Sequence, residues 1–157
     1  MRPVDAPKQI KPRSLGDYLE VMSKAVFQTG ISWQVVEKKW PGIREAFDGF
    51  QPLAVASLDG RRMEKLAQDA RVIRNRRKLE AIVDNARQMV ELEEQYGSFR
   101  KYLRSHGGFE ETVTDLRKRF KFLGDMGAFY FLYVVGEQVP EYEVWCASRG
   151  RTPVTAH

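Results

Sequence analysis

The short segment QTGISWQ, residues 28–34, places an indole directly after a glycine turn. Trp33 stands three residues after Gly30, at the point where a second run of helical spacing begins. A large aromatic ring at such a corner can anchor a hydrophobic core, or it can form one wall of a slot for a flat ligand. This segment alone leaves both interpretations open.

The segment RKRFKFLGDMG, residues 117–127, combines basic side chains with two glycines ahead of a very apolar run. Gly124 and Gly127 allow the backbone to turn sharply and to approach a neighbour closely. The N–H groups of such a turn, together with the dipole of the helix that follows, form an anion site that fits a phosphate. Arg119 and Lys121 lie within reach of that site. The alternative is an ordinary corner between two helices, since basic residues are favoured at a helix C-terminus.

The charge of the chain is modest, but its arrangement is informative. Lys and Arg number 26 against 21 Asp and Glu, which gives a formal net charge of +5. Basic residues cluster at 74–78, RNRRK, and at 117–121, RKRFK, whereas acids cluster at 91–95. A clustered basic face is typical of nucleic-acid binding, so Arg74 and Arg76 join the candidates for DNA contact. Charges placed for solubility and at helix ends are the alternative.

The elements that must position these residues follow helical spacing, and no alternating strand pattern of useful length is present. A first helix begins after Ser14 and ends at Gly30, and a second begins at Ser32 and ends at the Pro41–Gly42 pair. The clearest helix covers 76–95, where an apolar stripe lies opposite Arg and Glu. Shorter helical segments are predicted over 43–47, 52–58, 61–69, 99–105, 110–120, 128–135 and 141–147. We therefore expect an all-α fold with about eight helices around one core.

We expect three parts in the chain. Residues 1–13 contain three prolines and predict a flexible arm, 14–148 form the helical domain, and 149–157 form a loose tail. No apolar run is long enough to span a membrane, and the N-terminus lacks the apolar region of a signal peptide. One cysteine, Cys146, cannot form an internal disulfide. These features predict a cytoplasmic monomer that does not associate with membranes.

Several linked segments resemble the type I 3-methyladenine DNA glycosylases, a family within the helix-hairpin-helix glycosylase superfamily. The matching segments are QTGISW at 28–33, the lysine pair at 38–39 and VIRNRRKL at 72–79. RFKFLG at 119–124 is similar to the hairpin of the family, with one glycine missing. The resemblance covers roughly residues 15–146.

The resemblance implies an enzyme of base excision repair that binds double-stranded DNA with alkylated bases. Such an enzyme flips an alkylated purine such as 3-methyladenine out of the duplex and hydrolyses its N-glycosidic bond. Trp33 corresponds to the base-stacking Trp of the family, and a flat cation over an indole gains about 1–2 kcal/mol of cation–π attraction. Gln28 and Ser32 are further candidates for base binding. No lysine stands where a Schiff base could be argued, so we expect no strand cleavage, and we expect no cofactor.

The departures from the family pattern are equally specific. Ala25 stands where the family has its pocket glutamate, and APKQIKPRS at 6–14 replaces a segment that carries a pocket tyrosine. Of the four zinc ligands of the family, Cys146 remains, and the paired histidine position is Tyr142. Because a closed zinc site needs four ligands, we predict that this chain binds no metal.

Glu141 is the candidate catalytic residue. Other branches of the superfamily place an essential Asp shortly after the apolar helix that follows the hairpin, and Glu141 lies close to that position. A carboxylate there can orient water or stabilise a sugar cation. The alternative is a carboxylate in the first turn of the last helix. Cys146 and the run FYFLY at 129–133 are interpreted as core.

Two other functions stay open on the sequence. Loss of the pocket glutamate is also compatible with a non-catalytic relative that recognises damaged or distorted duplex. A glycosylase with altered base specificity, for another alkylated or a deaminated base, is the second alternative, because Ala25 makes room for a ligand other than the expected one. All of these interpretations require that Trp33 lines an open cavity and that the corner at 124–127 faces the same side of the molecule.

Overall fold

A computed structural model describes residues 7–150 of the chain. Within this range the chain forms nine α-helices and no strand, which confirms the all-α prediction. None of these helices is long and apolar enough to cross a membrane. The helices are α1 Leu15–Gln28, α2 Trp33–Ala46, α3 Pro52–Ala56, α4 Gly60–Ala67, α5 Arg76–Tyr96, α6 Phe99–Leu103, α7 Phe109–Arg119, α8 Asp125–Val134 and α9 Tyr142–Ser148.

The longest helix, α5, organises the fold because it packs against α1, α3, α4 and α6. Its buried side carries Leu79, Ile82, Ala86 and Met89, at the spacing that the sequence predicts. The helix ends one residue later than predicted, where Gly97 adopts a left-handed conformation with φ of 88°. Such a residue satisfies the last carbonyl groups of a helix and stops it.

The second helix differs from the prediction. It continues through Pro41, where the sequence predicted its end, and it includes the separate turn predicted over 43–47. A proline inside a helix costs about 3 kcal/mol. Val36, Trp40 and Ile43 lie along one face of α2 and are buried, and each such burial contributes about 1.5–3 kcal/mol. Of these three, Ile43 is the one that follows Pro41, so its burial offsets a large part of the cost of the proline.

The predicted N-terminal arm is attached to the domain where the structure describes it. Residues 7–13 form no helix or strand. The backbone N–H of Ile10 donates to the carbonyl of Val134 at 2.7 Å, and Gln9 Nε2 donates to the carbonyl of Tyr133 at 3.0 Å. The end of α8 thus holds this segment in place.

Both ends of the predicted domain show specific contacts. Ser14 occupies the N-cap position of α1 as predicted, but its side chain makes no capping hydrogen bond. Arg149, the first residue of the predicted tail, stacks over Trp145 with 4.6 Å between the guanidinium carbon and the ring centroid. The remaining parts of the predicted arm and tail, 1–6 and 151–157, lie outside the described residues.

A small aromatic cluster packs the last helix, α9, against α8. Phe129, Tyr142, Trp145 and Cys146 form this cluster between α8 and α9, with Phe129 and Trp145 ring centroids 4.7 Å apart. Trp145 Nε1 also donates to Glu110 of α7 at 3.0 Å. Cys146, which stands at the position of a zinc ligand in the family pattern, is thus packed among aromatic side chains. In the part of the chain that the structure describes, no group of three His, Cys, Asp or Glu residues could hold a metal ion.

Candidate active site and nucleic-acid interface

Trp33 is the first residue of α2, and its exposure separates the two interpretations of the sequence. It is half-buried, whereas Trp40, two turns later, is 5% exposed and packs in the core. The core-anchor interpretation therefore fits Trp40, and Trp33 keeps part of its surface accessible at the start of the helix. Ser32 caps this helix by accepting a hydrogen bond from the N–H of Val35 at 3.3 Å, as the sequence predicts.

The turn that carries Trp33 is fixed by a lysine of α5. Lys78 is buried, and its Nζ donates to the carbonyl oxygens of Phe27 at 3.0 Å and Thr29 at 2.6 Å. Gly30 then turns the chain with a φ of 80°, a conformation that favours glycine. Burial lowers the pKa of the Lys78 ammonium group. The sequence grouped Lys78 with the basic DNA-binding cluster, and this is corrected because its side chain points inward and positions the turn.

Polar side chains from three helices lie around this turn. On α1, Gln28 Nε2 is buried and has no partner in hydrogen-bond geometry among the described residues. Tyr130 of α8 is half-buried close to Gln28; burial raises the pKa of its phenol, and the Gln28 side chain opposes that shift. On α2, Glu37 Oε1 pairs with Lys24 Nζ of α1 at 2.9 Å, and the Glu37 charge also raises the pKa of Tyr130. We call Trp33, Gln28, Glu37 and Tyr130 the Trp33 corner.

The hairpin over 119–127 lies next to the turn that carries Trp33, since Thr29 Oγ1 donates to the carbonyl of Phe122 at 3.5 Å. A Cβ atom on Gly127 would lie 3.1 Å from Leu123 Cδ1 and 3.9 Å from Ala25 Cβ. The glycine therefore leaves room for the Leu123 side chain of the hairpin, whereas the added carbon would be in ordinary van der Waals contact with α1. Ala25 is 4% exposed, so the first turn of α8 covers the position where the family has its glutamate.

The hairpin backbone is held by Asn85, a buried residue of α5. Asn85 Oδ1 accepts from the N–H of Lys121 at 2.8 Å, and Asn85 Nδ2 donates to the carbonyl of Lys121 at 3.1 Å. No described residue accepts a hydrogen bond from the backbone N–H of Phe122, Leu123 or Gly124. Three successive N–H groups of the loop thus lack an acceptor among the described residues, as the N–H groups of anion-binding loops do before a ligand binds.

The space in front of Gly124 is open. Its φ of −84° suits any residue, and no described atom lies within 4 Å of a Cβ placed there. No internal contact therefore requires a glycine, and a closely approaching partner would. Asp125 acts against an anion at this helix end, because its carboxylate accepts from the N–H of Met126 at 2.8 Å. Arg149 Nη1 lies 3.5 Å from the same carboxylate and offsets part of its charge.

The basic residues predicted on the hairpin are exposed and form ion pairs within the protein. Arg119 Nε donates to Asp115 Oδ2 at 2.9 Å, an ion pair that raises the pKa of the guanidinium group. Lys121 Nζ donates to Asp84 Oδ2 at 2.6 Å, and 65% of the Lys121 side chain is exposed. Lys121 is therefore the freer of the two to turn toward a phosphate.

Arg76 and Lys121 share one groove, which has a volume of about 470 Å³ and lies between α4, α5 and the hairpin. Its walls carry both signs of charge, since Arg76 Nε lies 3.6 Å from Glu80 Oε2. Arg74 precedes α5 and is exposed. The structure thus brings Arg76 and Lys121 together beside the hairpin.

Glu141 stands at the N-cap of α9, where its carboxylate accepts from the N–H of Glu143 at 3.1 Å. This helix packs on α8 through Trp145. No contact between described residues joins Glu141 to the Trp33 corner. Its observed contact is the helix-terminal alternative that the sequence also offered, and its catalytic role stays a prediction.

Three residues of this region were not identified from the sequence. Glu37 follows Trp33 by four residues, a spacing that places both on one side of a helix and could have revealed it. Tyr130 belongs to the run 129–133, which predicts core and does so correctly for its phenylalanines. Asn85 is a polar residue inside the buried stripe of α5, an exception that often marks a buried hydrogen bond.

Comparison with known proteins places this geometry in context. The family model for methyladenine glycosylases matches residues 15–123. DNA-3-methyladenine glycosylase 1 of Escherichia coli K12 is 31% identical over 140 residues, which cover 76% of this chain and 74% of that protein. DNA-3-methyladenine glycosylase of Haemophilus influenzae is 35% identical over 89 residues, 57% of this chain and 48% of that protein.

Solved structures share the fold. The 3-methyladenine DNA glycosylase I of Staphylococcus aureus has a TM-score of 0.72 and 27% identity, with 82% of this chain and 80% of that chain covered. A variant of 3-methyladenine DNA glycosylase I in complex with 3-methyladenine has a TM-score of 0.72 and 27% identity, with coverage of 82% and 81%.

Proposed function

Because this chain belongs to the methyladenine glycosylase family, we propose that it is a DNA repair glycosylase that excises 3-methyladenine from DNA by hydrolysis. The activity named for its relatives supports this function. The observation that carries this proposal is that an aromatic ring, a polar amide and the hairpin lie next to one another. The partly accessible indole of Trp33 lies at the turn that follows Gln28, whose Nε2 has no partner in hydrogen-bond geometry among the described residues. The hairpin, whose N–H groups at 122–124 also lack a described acceptor, lies beside the same turn.

On the base side, Trp33 supplies a stacking surface for the flipped purine. A base methylated at N3 is cationic, and a cation over an indole gains about 1–2 kcal/mol when desolvated. Gln28 Nε2 is buried near Tyr130 and has no partner in hydrogen-bond geometry among the described residues, which supports a role as a donor to a ring nitrogen of the base. Such a donor costs free energy while it is unpaired and recovers that energy when the base binds.

The chemical step requires little from the protein because the leaving group is already activated. The N9–C1′ bond breaks, its electron pair neutralises the cationic base, and water adds to C1′ with loss of a proton. Positioning of base and water is then the main contribution of the enzyme. The product is an abasic site without a strand cut. Glu141 is our candidate for orienting that water, although its observed contact is the cap of α9.

On the DNA side, the free N–H groups of residues 122–124 face a phosphate, as helix-terminal amides do in many anion sites. Lys121 adds a charge from an exposed side chain, and Arg74 adds another. Arg119 and Arg76 contribute after exchange of their present carboxylate partners for phosphate. Phosphate contacts of this kind fix the register of the duplex and carry no sequence information.

Release of free 3-methyladenine from methylated duplex tests the function directly. We expect wild type to release the base, Trp33→Phe to retain part of the rate because it keeps a ring, and Trp33→Ala to lose at least about tenfold in kcat/KM. Leu53→Ala is the control, because that side chain is 70% exposed on α3. No release by wild type in large enzyme excess would refute the proposal.

One observation favours a second candidate. Ala25 occupies the glutamate position and is covered by α8, so a relative that binds damaged duplex without excision is the alternative function. The same assay separates the two when duplex binding is measured beside it. Retained binding without base release would identify the non-catalytic relative.

A further inference from the structure

One carboxylate oxygen between α6 and α7 collects three hydrogen-bond donors. The hydroxyl group of Tyr102 donates to Asp115 Oδ2 at 2.6 Å, and Arg119 Nε donates to the same atom at 2.9 Å. His106 Nε2 lies 3.1 Å from it, and because a carboxylate only accepts, this ring nitrogen is the donor. A network with this many partners fixes its members more firmly than an isolated surface ion pair does.

The Asp115 carboxylate is a lasting negative charge one helical turn before Arg119. Burial acts to raise the pKa of its carboxyl group, but the hydrogen bonds from Tyr102, His106 and Arg119 outweigh burial, so that pKa lies below its usual value. Tyr102 is fully buried in the core, so its hydroxyl group holds the carboxylate from the inner side. Asp115 thus connects the core to the start of the 119–127 hairpin.

Arg119 is the member of the network that reaches the surface. Its side chain is 35% exposed, and its guanidinium carbon lies 5.9 Å from the ring centroid of Tyr102. Nε is engaged with Asp115, whereas no described residue accepts a hydrogen bond from Nη1 or Nη2. Because the guanidinium group carries its donors in a planar fork, the pair with Asp115 leaves the Nη edge for an external acceptor.

We propose that Asp115 is a positioning residue for DNA binding, which holds Arg119 by Nε so that both Nη groups meet one phosphate of the duplex. This inference rests on the proposed function, since it requires that the hairpin contacts DNA. Of the two routes by which Arg119 can reach a phosphate, exchange of Asp115 is the costlier, because it removes a donor from a partly buried carboxylate. Retention of Asp115 keeps the network and adds a bidentate contact.

Lys121 offers a matched comparison within the same hairpin. Its Nζ donates to Asp84 Oδ2 at 2.6 Å, and its side chain is 65% exposed. An ammonium group on a flexible stem has no fork that a partner could orient. Asp84 is therefore a carboxylate that pairs with a hairpin cation but does not position it.

Duplex affinity of Asp115→Asn, measured by fluorescence anisotropy at several salt concentrations, tests the positioning. A bystander carboxylate near DNA repels phosphate, so its neutralisation raises affinity. For a positioning residue we expect the opposite, a loss of about 3–10-fold, with a slope of log K against log salt that is shallower by up to about one. Asp84→Asn should keep or raise affinity, and thermal unfolding confirms that both variants are folded. An equal loss in both variants would refute the positioning.

Arg119→Lys separates retention from exchange without any change to a buried group. Retention predicts that the lysine, which keeps the charge but lacks the fork, loses nearly as much affinity as Arg119→Met, about tenfold. Exchange predicts that Arg119→Lys binds the duplex nearly like wild type, and this result would overturn the inference. In the Arg119→Met background, Asp115→Asn should cause no further loss. A further loss would show that Asp115 acts only through the fold.

Release of 3-methyladenine from methylated duplex, measured beside affinity, separates this inference from the proposed function. Wild type that binds duplex with the expected losses in the variants but releases no base would support the positioning and refute the glycosylase. Wild type that releases the base, with Asp115→Asn at or above wild-type affinity, would refute the positioning alone. Wild type that neither binds duplex nor releases the base would overturn both.

Discussion

The Trp33 corner and the 119–127 hairpin are both backbone turns held by one side chain of α5, but the two holding groups differ in charge. Lys78 donates to two carbonyl groups at the end of α1. Asn85 lies seven residues later, two turns along the same side of the helix, and exchanges two hydrogen bonds with Lys121. α5 thus sets the distance between the turn that we propose stacks the base and the loop that we propose binds the backbone of DNA.

The difference between the two contacts follows from what each turn leaves unpaired. The last carbonyl groups of α1 need donors, and an ammonium group supplies several at once. The hairpin needs one donor and one acceptor for the same residue, and an amide supplies both. Burying Lys78 is the costlier solution, because desolvation acts against its charge and lowers its pKa.

The largest effect should come from Lys78→Met, which keeps the apolar stem and removes the donor. Two carbonyl groups at 2.6 Å and 3.0 Å lose a charged partner. We expect a loss on the order of 3–5 kcal/mol in the free energy of unfolding, measured by urea titration. Base release should fall with it, because Gly30 and Trp33 lose their fixed position. Arg77→Met, an exposed neighbour on α5, should unfold like wild type, and equal stability of the two variants would contradict this account.

Asn85→Ala removes the side chain that holds the 119–127 hairpin, and it should lower stability less than Lys78→Met does. The N–H and carbonyl of Lys121 both lose a neutral partner, so we expect a loss of about 1–3 kcal/mol in the free energy of unfolding. Affinity for duplex DNA should fall by about tenfold, whereas affinity for free 3-methyladenine should stay near that of wild type. Glu91→Ala, on the exposed face of α5, serves as the control. A loss of base affinity equal to the loss of DNA affinity would show that the two turns are not separable.

Part of this comparison could be predicted from the sequence, since the helices and the two turns follow from spacing and from glycine positions. Hydrophobic periodicity predicted α5 almost to the residue, whereas the shared function of Trp33 and the hairpin stays a prediction. The path of α2 through Pro41 could not be predicted locally, because the burial of Ile43 that offsets the cost of the proline is a tertiary effect.

The inward orientation of the Lys78 side chain could not be predicted from the sequence either. The basic cluster RNRRK looks the same in the sequence whether its lysine faces DNA or caps a helix. Its direction is decided by the packing of α5 against α1, which brings the carbonyl groups of Phe27 and Thr29 to it. Glu37 and Tyr130 illustrate the same limit, because their proximity depends on how three helices meet.

Gly124→Ala tests whether the hairpin contacts the DNA backbone, at nearly unchanged stability of the fold. An added Cβ meets no described atom within 4 Å, and φ is −84°. Gly124 is the N-cap of α8, so the poorer capping by alanine and its lower unfolded-state entropy oppose each other, and the free energy of unfolding should change by less than about 1 kcal/mol. A phosphate that approaches the backbone would meet that methyl group, so we expect a 3–10-fold loss of duplex affinity and a shallower salt dependence. Fluorescence anisotropy at several salt concentrations measures both. Unchanged affinity and slope would place the DNA backbone elsewhere.

Glu141→Gln should have the smallest effect, and it tests whether a third region takes part. α9 lies outside the Trp33 corner and the hairpin, and Glu141 accepts a capping hydrogen bond from Glu143 N–H at 3.1 Å. A glutamine amide oxygen can accept the same bond, so stability should stay within about 0.5 kcal/mol of wild type. If the carboxylate only caps the helix, single-turnover release of 3-methyladenine should change by less than about twofold. A loss of about 100-fold or more at unchanged stability would instead establish Glu141 as the group that orients water, and the active site would then extend across α8 to the last helix.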